Sequence, residues 1–206
     1  KYKNKHLGTI GDAGAFSFYP TKTLGSIGDA GAISTNNKKV YQDLLMLRNH
    51  GHIDRDNFKF AGRNSRLDEI QAAILRIKLK YLKSDTKKRQ NIAKIYKSSI
   101  SNNNVIHPKI FKLEDHAFHL YVVKTKKRNL LLKFLRDNQI VCGIHYSTPI
   151  HLQPGYKKKI IIRNKLSNTE KLSKEIISLP IYPELKISKV KKICKLINYY
   201  FDNMIN

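Results

Sequence analysis

Lys22 is the residue of this sequence whose type and setting most directly suggest covalent chemistry. It lies in a short loop between two runs of the same sequence, Ile-Gly-Asp-Ala-Gly-Ala, at Ile10–Ala15 and Ile27–Ala32, and both runs are predicted to be strands. Between two buried strands an amine is desolvated, which lowers its pKa and leaves it neutral and nucleophilic. Such an amine can form a Schiff base with the aldehyde of a cofactor. The alternative is a solvated lysine, the usual state of this residue in a lysine-rich chain.

The residues around Lys22 are typical of a loop that binds a ligand. Pro20 stiffens the approach to the lysine, and Gly25 and Gly28 permit tight turns and close contact with a ligand. Ser17 offers a hydroxyl group that can hydrogen-bond a phosphate.

Asn64 is a second candidate for phosphate binding. It precedes a helix predicted to begin near Ser65–Asp68, and a helix N-terminus attracts phosphate through its free N–H groups and its dipole. The alternative, which the sequence alone favours, is an asparagine that caps this helix.

His145 and Tyr146 are candidate substrate contacts. The alternatives are a histidine with satisfied hydrogen bonds at the end of a strand and a tyrosine of the core. A zinc site at His145 and His151 is rejected because no acidic residue or cysteine lies nearby in the sequence, and no metal is predicted.

Composition restricts the class of protein. The formal net charge of +25 is typical of nucleic-acid-binding proteins, but the lysines are spread along the 206 residues and no known nucleic-acid-binding motif accompanies them. Nucleic acid is therefore disfavoured as a partner. No apolar run approaches the ~20 residues of a membrane span, and no signal peptide is predicted from these residues. Cys142 and Cys194 lie in apolar contexts and are predicted to be reduced core residues, so a cytoplasmic location is expected.

Apolar periodicity places these residues on elements. Strands are predicted at 119–125 and 140–146, and helices at 38–48, 67–81, 85–100, 128–137, 167–177 and 188–201. The helices 67–81 and 85–100 are either continuous or kinked at Ser84. Leu67, Ile70, Ile74, Ile77 and Tyr81 form one apolar stripe. The break at Ser101–Asn104 suggests a domain boundary, and the alternation of strands and helices after it suits a small α+β domain.

The segment Ser-Phe-Tyr-Pro-Thr-Lys-x-Leu-Gly-x-x-Gly-Asp-x-Gly-Ala, which contains Ser17 and Lys22, resembles the cofactor-lysine segment of the DegT/DnrJ/EryC1/StrS aminotransferases. Two further motifs resemble that family, Gly-x-Asn-x-Arg-Leu-Asp-Glu-x-Gln-Ala-Ala around Asn64 and His-Tyr-x-x-Pro-x-His-x-Gln from His145. The resemblance covers essentially the whole chain but only part of the family's length, so a C-terminal fragment is expected. It implies an α/β fold of the aspartate aminotransferase type (fold type I), with the end of the large domain at 1–101 and a small domain at 102–206.

The resemblance also implies a function. Members of the family use pyridoxal 5'-phosphate to aminate a keto-deoxysugar linked to a nucleoside diphosphate, with an amino acid as amino donor. Lys22 would hold the cofactor and then act as general acid and base. Ser17 would bind the cofactor and Asn64 the cofactor phosphate of the neighbouring subunit, which implies a homodimer. Tyr19, His145 and Tyr146 would face the sugar.

Two residues of the family's site are absent from this sequence, the carboxylate that pairs with the pyridine nitrogen and the aromatic residue that stacks on the ring. We therefore expect the isolated chain to bind the cofactor poorly and to be inactive. An inactive fragment and a basic nucleic-acid-binding protein are the alternatives to the aminotransferase function. The sequence leaves the sugar and the nucleotide open, and the His-Tyr motif slightly favours a 3-keto over a 4-keto sugar.

Overall fold

The fold is described from a computed structural model, which covers residues 1–157 and 159–204. Contacts divide the chain into two units, Lys1–Asp85 and Thr86–Asn206. The division falls within a helix and not at Ser101–Asn104. The proposed family domains, 1–101 and 102–206, remain a prediction.

The first unit is built on a β-hairpin. Strands β1 (Gly14–Ser17) and β2 (Gly31–Ser34) pair antiparallel, with Gly14 opposite Ser34 and Ser17 opposite Gly31. Two strands therefore flank Lys22 as predicted, although both begin late in their glycine-rich runs. The predicted burial of these strands is wrong, because every strand residue except Gly14 is exposed or half-buried. A two-stranded hairpin has no second layer of its own to cover it.

Helix α1 (Lys38–Leu47) follows the hairpin and confirms the helix predicted there. The side chain of Asn37 begins it by accepting hydrogen bonds from the N–H groups of Lys39 and Val40, at 2.9 and 3.1 Å. The helix and the hairpin border an apolar groove of about 770 Å³, whose lining includes Phe16 and Tyr41.

Helix α2 (Glu69–Ser99) runs without a break through Ser84, so the two predicted helical stretches form one helix. Its N-terminal half does not bury the apolar stripe predicted from the sequence. Ile70, Ile77 and Tyr81 are 61%, 58% and 60% exposed. We call Ile70, Ile74, Ile77 and Tyr81, together with Leu67 just before the helix, the α2 stripe. Neither this helix nor any other in the described part of the chain is long and apolar enough to cross a membrane.

The second unit holds nearly all of the buried core. Strand β3 (Tyr121–Lys124) pairs antiparallel with β4 (Ile176–Leu179), and Tyr121, Val123 and Ile177 are fully buried. Helices α3 (Arg128–Asp137), α4 (Ser167–Glu175) and α5 (Ile187–Asn203) complete the unit. Helix α3 packs against α5, whose apolar face is buried as the periodicity predicted.

Two predicted elements of this unit are wrong. Residues 140–146 do not form a strand, because Gly143 is the one residue among them that forms a bridge to a strand, at Ser178. The helix predicted at 167–177 ends at Glu175, since Ile176 and Ile177 pair with Lys124 and Val123 of β3 instead. Pairing with a distant strand outweighs the local helical pattern at both isoleucines, which are β-branched.

The C-terminal half of α2 is attached to this core by hydrogen bonds to loop carbonyl groups. Arg89 Nη1 donates to the carbonyl groups of Phe118 and Ile181 at 3.2 and 2.7 Å, and the Tyr96 hydroxyl donates to that of Pro180 at 2.7 Å. Burial raises the pKa of the Tyr96 phenol. This hydroxyl is therefore held in its neutral, hydrogen-donating form.

Both cysteines are free, as predicted. Burial raises the pKa of the Cys142 thiol to about 12 and that of the Cys194 thiol to about 11. Neither thiol is poised as a nucleophile at neutral pH.

Replacing Tyr96 with Phe should lower the free energy of unfolding by about 1 kcal/mol, because the Pro180 carbonyl group loses its donor. Tyr81→Phe is the matched control, since it removes a hydroxyl from an exposed ring of the same helix. Urea unfolding followed by circular dichroism measures both variants. An equal loss of stability in the two variants would contradict the assigned role of the Tyr96 hydroxyl.

Candidate functional site

Lys22 closes a β-turn. Its backbone N–H donates to the carbonyl group of Tyr19 at 2.8 Å, which places Pro20 at the second position of the turn, where its fixed φ is favourable. Lys22 is half-buried. Its side chain makes no hydrogen bond or ion pair with the residues that the structure describes, so its amine is not neutralised by a carboxylate there.

A glycine allows the chain to return close to this turn. A Cβ added at Gly25 would lie 2.4 Å from the carbonyl oxygen of Pro20, a separation that real Cβ atoms do not reach. The next residue, Ser26, donates its N–H to the carbonyl group of Phe18 at 2.8 Å. The loop that presents Lys22 is therefore narrow, and Gly25 is required by its own backbone.

The side chain of Gln71, on α2, forms hydrogen bonds with the same loop. Its Oε1 accepts hydrogen bonds from the hydroxyl of Ser26, which is buried, and from the N–H of Ile27 at 3.2 Å. A Cβ added at Gly28 would lie 2.6 Å from Gln71 Nε2. This contact was not predicted from the sequence, although Gln71 belongs to the same family motif as Asn64.

Ser17 and Tyr19 lie beside the Lys22 turn. Ser17 is the last residue of β1, it is exposed, and its Oγ accepts a hydrogen bond from the Tyr19 N–H at 3.4 Å. The Tyr19 side chain is 50% exposed. The structure therefore brings three of the predicted site residues, Ser17, Tyr19 and Lys22, onto one loop.

Asn64 does not cap a helix. Helix α2 begins five residues later, at Glu69, and the backbone of Asn64 pairs instead with Asn49. Arg66 supports this segment by donating from Nη1 to Asn49 Oδ1 at 2.8 Å. Asn64 is exposed and its side chain makes no hydrogen bond with the described residues, so no bond joins it to Ser17 or Lys22.

His145 is fixed by contacts that its position in the sequence does not reveal. Its Nδ1 lies 2.8 Å from the hydroxyl of Ser178, and a Cβ added at Gly143 would lie 2.6 Å from its Cε1. The His145 and Tyr146 rings meet edge to face, with centroids 5.4 Å apart. Tyr146 is 73% exposed, so the interpretation of this residue as a core tyrosine is wrong.

His151 has an acidic partner, Glu170, which lies 19 positions further along the chain and is not evident from the sequence. Its Nε2 lies 3.1 Å from Glu170 Oε1, and the histidine is buried. Within residues 1–157 and 159–204, no group of three or more histidine, cysteine or acidic side chains is arranged to hold a metal ion.

A profile of the DegT/DnrJ/EryC1/StrS aminotransferase family matches residues 1–198. The chain belongs to this family. It is 39% identical over 199 residues to the dTDP-3-amino-3,6-dideoxy-alpha-D-galactopyranose transaminase of Aneurinibacillus thermoaerophilus, an alignment that covers 97% of this chain and 54% of that relative. The chain spans about half the length of the curated relatives that it matches.

Solved structures confirm the predicted fold. The crystal structure of Streptomyces venezuelae DesV, in complex with a ketimine intermediate, matches with a TM-score of 0.92 and 33% identity over 100% of this chain and 56% of that one. NtdA of Bacillus subtilis, solved with its cofactor PMP, matches with a TM-score of 0.80 and 28% identity over 93% and 47%. The α/β fold of the aspartate aminotransferase type and the family assignment are therefore confirmed.

Replacing Gln71 with Leu should free the loop that follows Lys22, because Ile27 N–H and the Ser26 hydroxyl lose their acceptor. We expect hydrogen exchange of the Ile27 amide, measured by NMR, to become about fivefold faster. Gln90→Leu is the matched control, since Gln90 lies on the same helix but donates to the carbonyl groups of Leu113, Glu114 and His116. Unchanged exchange at Ile27 in Gln71→Leu would refute this role of Gln71.

Proposed function

We propose that this chain contributes the Schiff-base lysine and the sugar-facing residues of an aminotransferase that acts on a nucleoside-diphosphate-linked keto-deoxysugar. The observation on which this proposal depends is the half-buried Lys22. It lies in a turn that contains Pro20, and the segment after the turn is restrained by the close approach of Gly25 and by hydrogen bonds from Ser26 and Ile27 to Gln71. The chain spans about half the length of its relatives. We therefore assign the activity to the residues described above acting together with the remaining half of the family fold.

The residues around Lys22 fit pyridoxal phosphate. An amine without a carboxylate partner is free to react with an aldehyde, and the exposed hydroxyl of Ser17 is available to a phosphate oxygen. Asn64 has an exposed side-chain amide with no competing hydrogen bond to a described residue. This amide is therefore available to bind the phosphate of a cofactor held by a second subunit. When bound, this cofactor supplies an electron sink for transamination.

Lys22 then has two roles. Its Nζ holds the cofactor, and after release it transfers a proton as general base and general acid. A narrow loop favours the second role because it limits how far Nζ moves from the reacting carbon. The contacts of Gly25 and Gln71 provide this restraint.

His145, Tyr146 and Tyr19 are proposed to contact the sugar. Each of these residues is exposed in a turn or loop, and none is buried in the core. The name of the Aneurinibacillus relative places the amino group at position 3 of the sugar. Together with the His-Tyr motif, this supports a 3-keto substrate, with an amino acid as amino donor.

A chimera tests the role of Lys22. The part of DesV that this chain does not cover is joined to the 206 residues, and amino transfer to a dTDP-linked 3-keto sugar is assayed. Lys22→Arg should lower the turnover by at least about a thousandfold, because arginine forms no Schiff base. Lys39→Arg, on exposed α1, should leave turnover unchanged. Full activity of the Lys22→Arg chimera would overturn the proposed function.

The chain alone provides the complementary measurement. We expect the 206 residues to show no strong Schiff-base absorbance on titration with pyridoxal phosphate and no amino transfer. A strong absorbance that disappears in Lys22→Ala would show that these residues form the cofactor site unaided.

We further propose a homodimer that uses the α2 stripe. Three of its side chains, Ile70, Ile77 and Tyr81, are about 60% exposed at helical spacing on one face. Contiguous apolar surface of this kind is characteristic of an interaction site. A second copy of the chain is the proposed partner, because the family motif around Asn64 implies a phosphate contact made across subunits.

Replacing Ile77 with Glu should weaken self-association at least about tenfold, because burial of a charge in an apolar interface is unfavourable. Leu79→Glu is the matched control, since Leu79 is 56% exposed but lies about 200° around the helix from Ile77. Sedimentation at moderate salt, which screens the repulsion between two strongly basic chains, measures the equilibrium. A monomeric wild-type chain, or equal effects of the two substitutions, would contradict the proposed interface.

A further inference from the structure

Strand β4 carries a buried serine whose hydroxyl faces His145. Ser178 is 5% exposed, and its Oγ lies 2.8 Å from His145 Nδ1. Among the residues that the structure describes, this nitrogen is the only hydrogen-bond partner of the Ser178 hydroxyl. The backbone groups of Ser178 are occupied separately, because its N–H and carbonyl group both pair with Gly143, at 2.8 and 3.1 Å.

We infer that Ser178 is a positioning residue that donates its hydroxyl hydrogen to His145 Nδ1 and thereby keeps the neutral imidazole protonated at Nε2. The functional meaning of this inference rests on the proposed role of His145 at the sugar. The hydrogen bond itself does not depend on that role.

The direction of the hydrogen bond between Ser178 and His145 follows from the acceptors available to the Ser178 hydroxyl hydrogen. If Nδ1–H donated to Ser178 Oγ, the hydroxyl hydrogen would need an acceptor of its own, and the described residues offer none. A buried hydroxyl hydrogen without an acceptor is unfavourable. Donation from Ser178 to Nδ1 satisfies both groups, and a neutral imidazole then carries its hydrogen on Nε2.

The ring is also fixed sterically. The absence of a side chain at Gly143 lets the imidazole lie over its backbone, where a Cβ would come within 2.6 Å of Cε1 and 3.3 Å of Nδ1. Gly143 is itself held against β4 by its two backbone bonds to Ser178. Ser178 therefore acts on the His145 ring in two ways. Its backbone holds Gly143, on which the ring lies, and its hydroxyl determines which ring nitrogen carries the hydrogen.

This arrangement specifies what His145 can recognise. Its Nε2 makes no hydrogen bond with a described residue, and an Nε2–H group is a donor. His145 would therefore donate to an oxygen of the ligand, such as a sugar hydroxyl or carbonyl oxygen, and would not accept a proton at Nε2. Its chemistry complements that of Lys22, to which the proton transfer is assigned.

NMR of the ¹⁵N-labelled 206-residue chain tests the inference directly. Long-range ¹H–¹⁵N spectra distinguish protonated from unprotonated imidazole nitrogens, and the His145 signals are assigned by their loss in His145→Gln. At about pH 8.5, where an ordinary imidazole is neutral, we expect His145 to be protonated at Nε2. Ser178→Ala should lower the ratio of the Nε2–H to the Nδ1–H form about fivefold, the equivalent of one neutral hydrogen bond.

Ser173→Ala is the matched control, because Ser173 is also buried but its hydroxyl donates to the Glu170 carbonyl group at 2.8 Å. It should leave the His145 ratio unchanged. A wild-type His145 protonated at Nδ1 would overturn the inference, and so would an unchanged ratio in Ser178→Ala. The wild-type measurement decides the matter even if Ser178→Ala does not fold. The two proposals fail separately. If the proposed transamination were wrong, the His145 spectrum would still show the expected Nε2–H form.

Discussion

The pairing of β3 with β4 is the contact on which the second unit depends. It joins residues 121–124 to residues 176–179, and Tyr121, Val123 and Ile177 of these strands are fully buried in the core. The same pairing orients Ser178, whose backbone holds Gly143 and whose hydroxyl holds His145. A contact that stabilises the core thus also positions a candidate substrate residue, because alternate residues of a strand point to opposite faces.

The first unit follows a different principle. It has little core of its own, its hairpin is largely exposed, and its apolar groove lies open. The specific contacts of this unit lie at the loop between the strands. There Gly25 and Ser26 of the loop and Gln71 of α2 restrain the backbone around Lys22. This is the arrangement expected of a functional loop on a scaffold, in which a few specific contacts replace extensive burial.

Local chemistry predicted many of the elements. The helices α1, α3 and α5 follow apolar periodicity, and the β1–β2 hairpin follows its repeated glycine-rich runs. Prediction failed where a distant partner decided the outcome. Ile176 and Ile177 leave a helical pattern to pair with β3, and residues 140–146 find only one partner on β4. The α2 stripe has regular helical spacing, and yet four of its five residues are exposed and Ile74 is half-buried, because periodicity reveals a helix but not what covers its face.

The sequence by itself determined the family, the fold and the identity of Lys22 as the reactive candidate, because residue types at close spacing carry that information within a single loop. Only the tertiary structure showed that Gln71 restrains this loop, that Asn64 is no helix cap and that Ser178 contacts His145. Residues 26 and 71 are 45 positions apart, and residues 145 and 178 are 33 apart. Such contacts are set by how whole elements pack, and no local pattern in the chain encodes them.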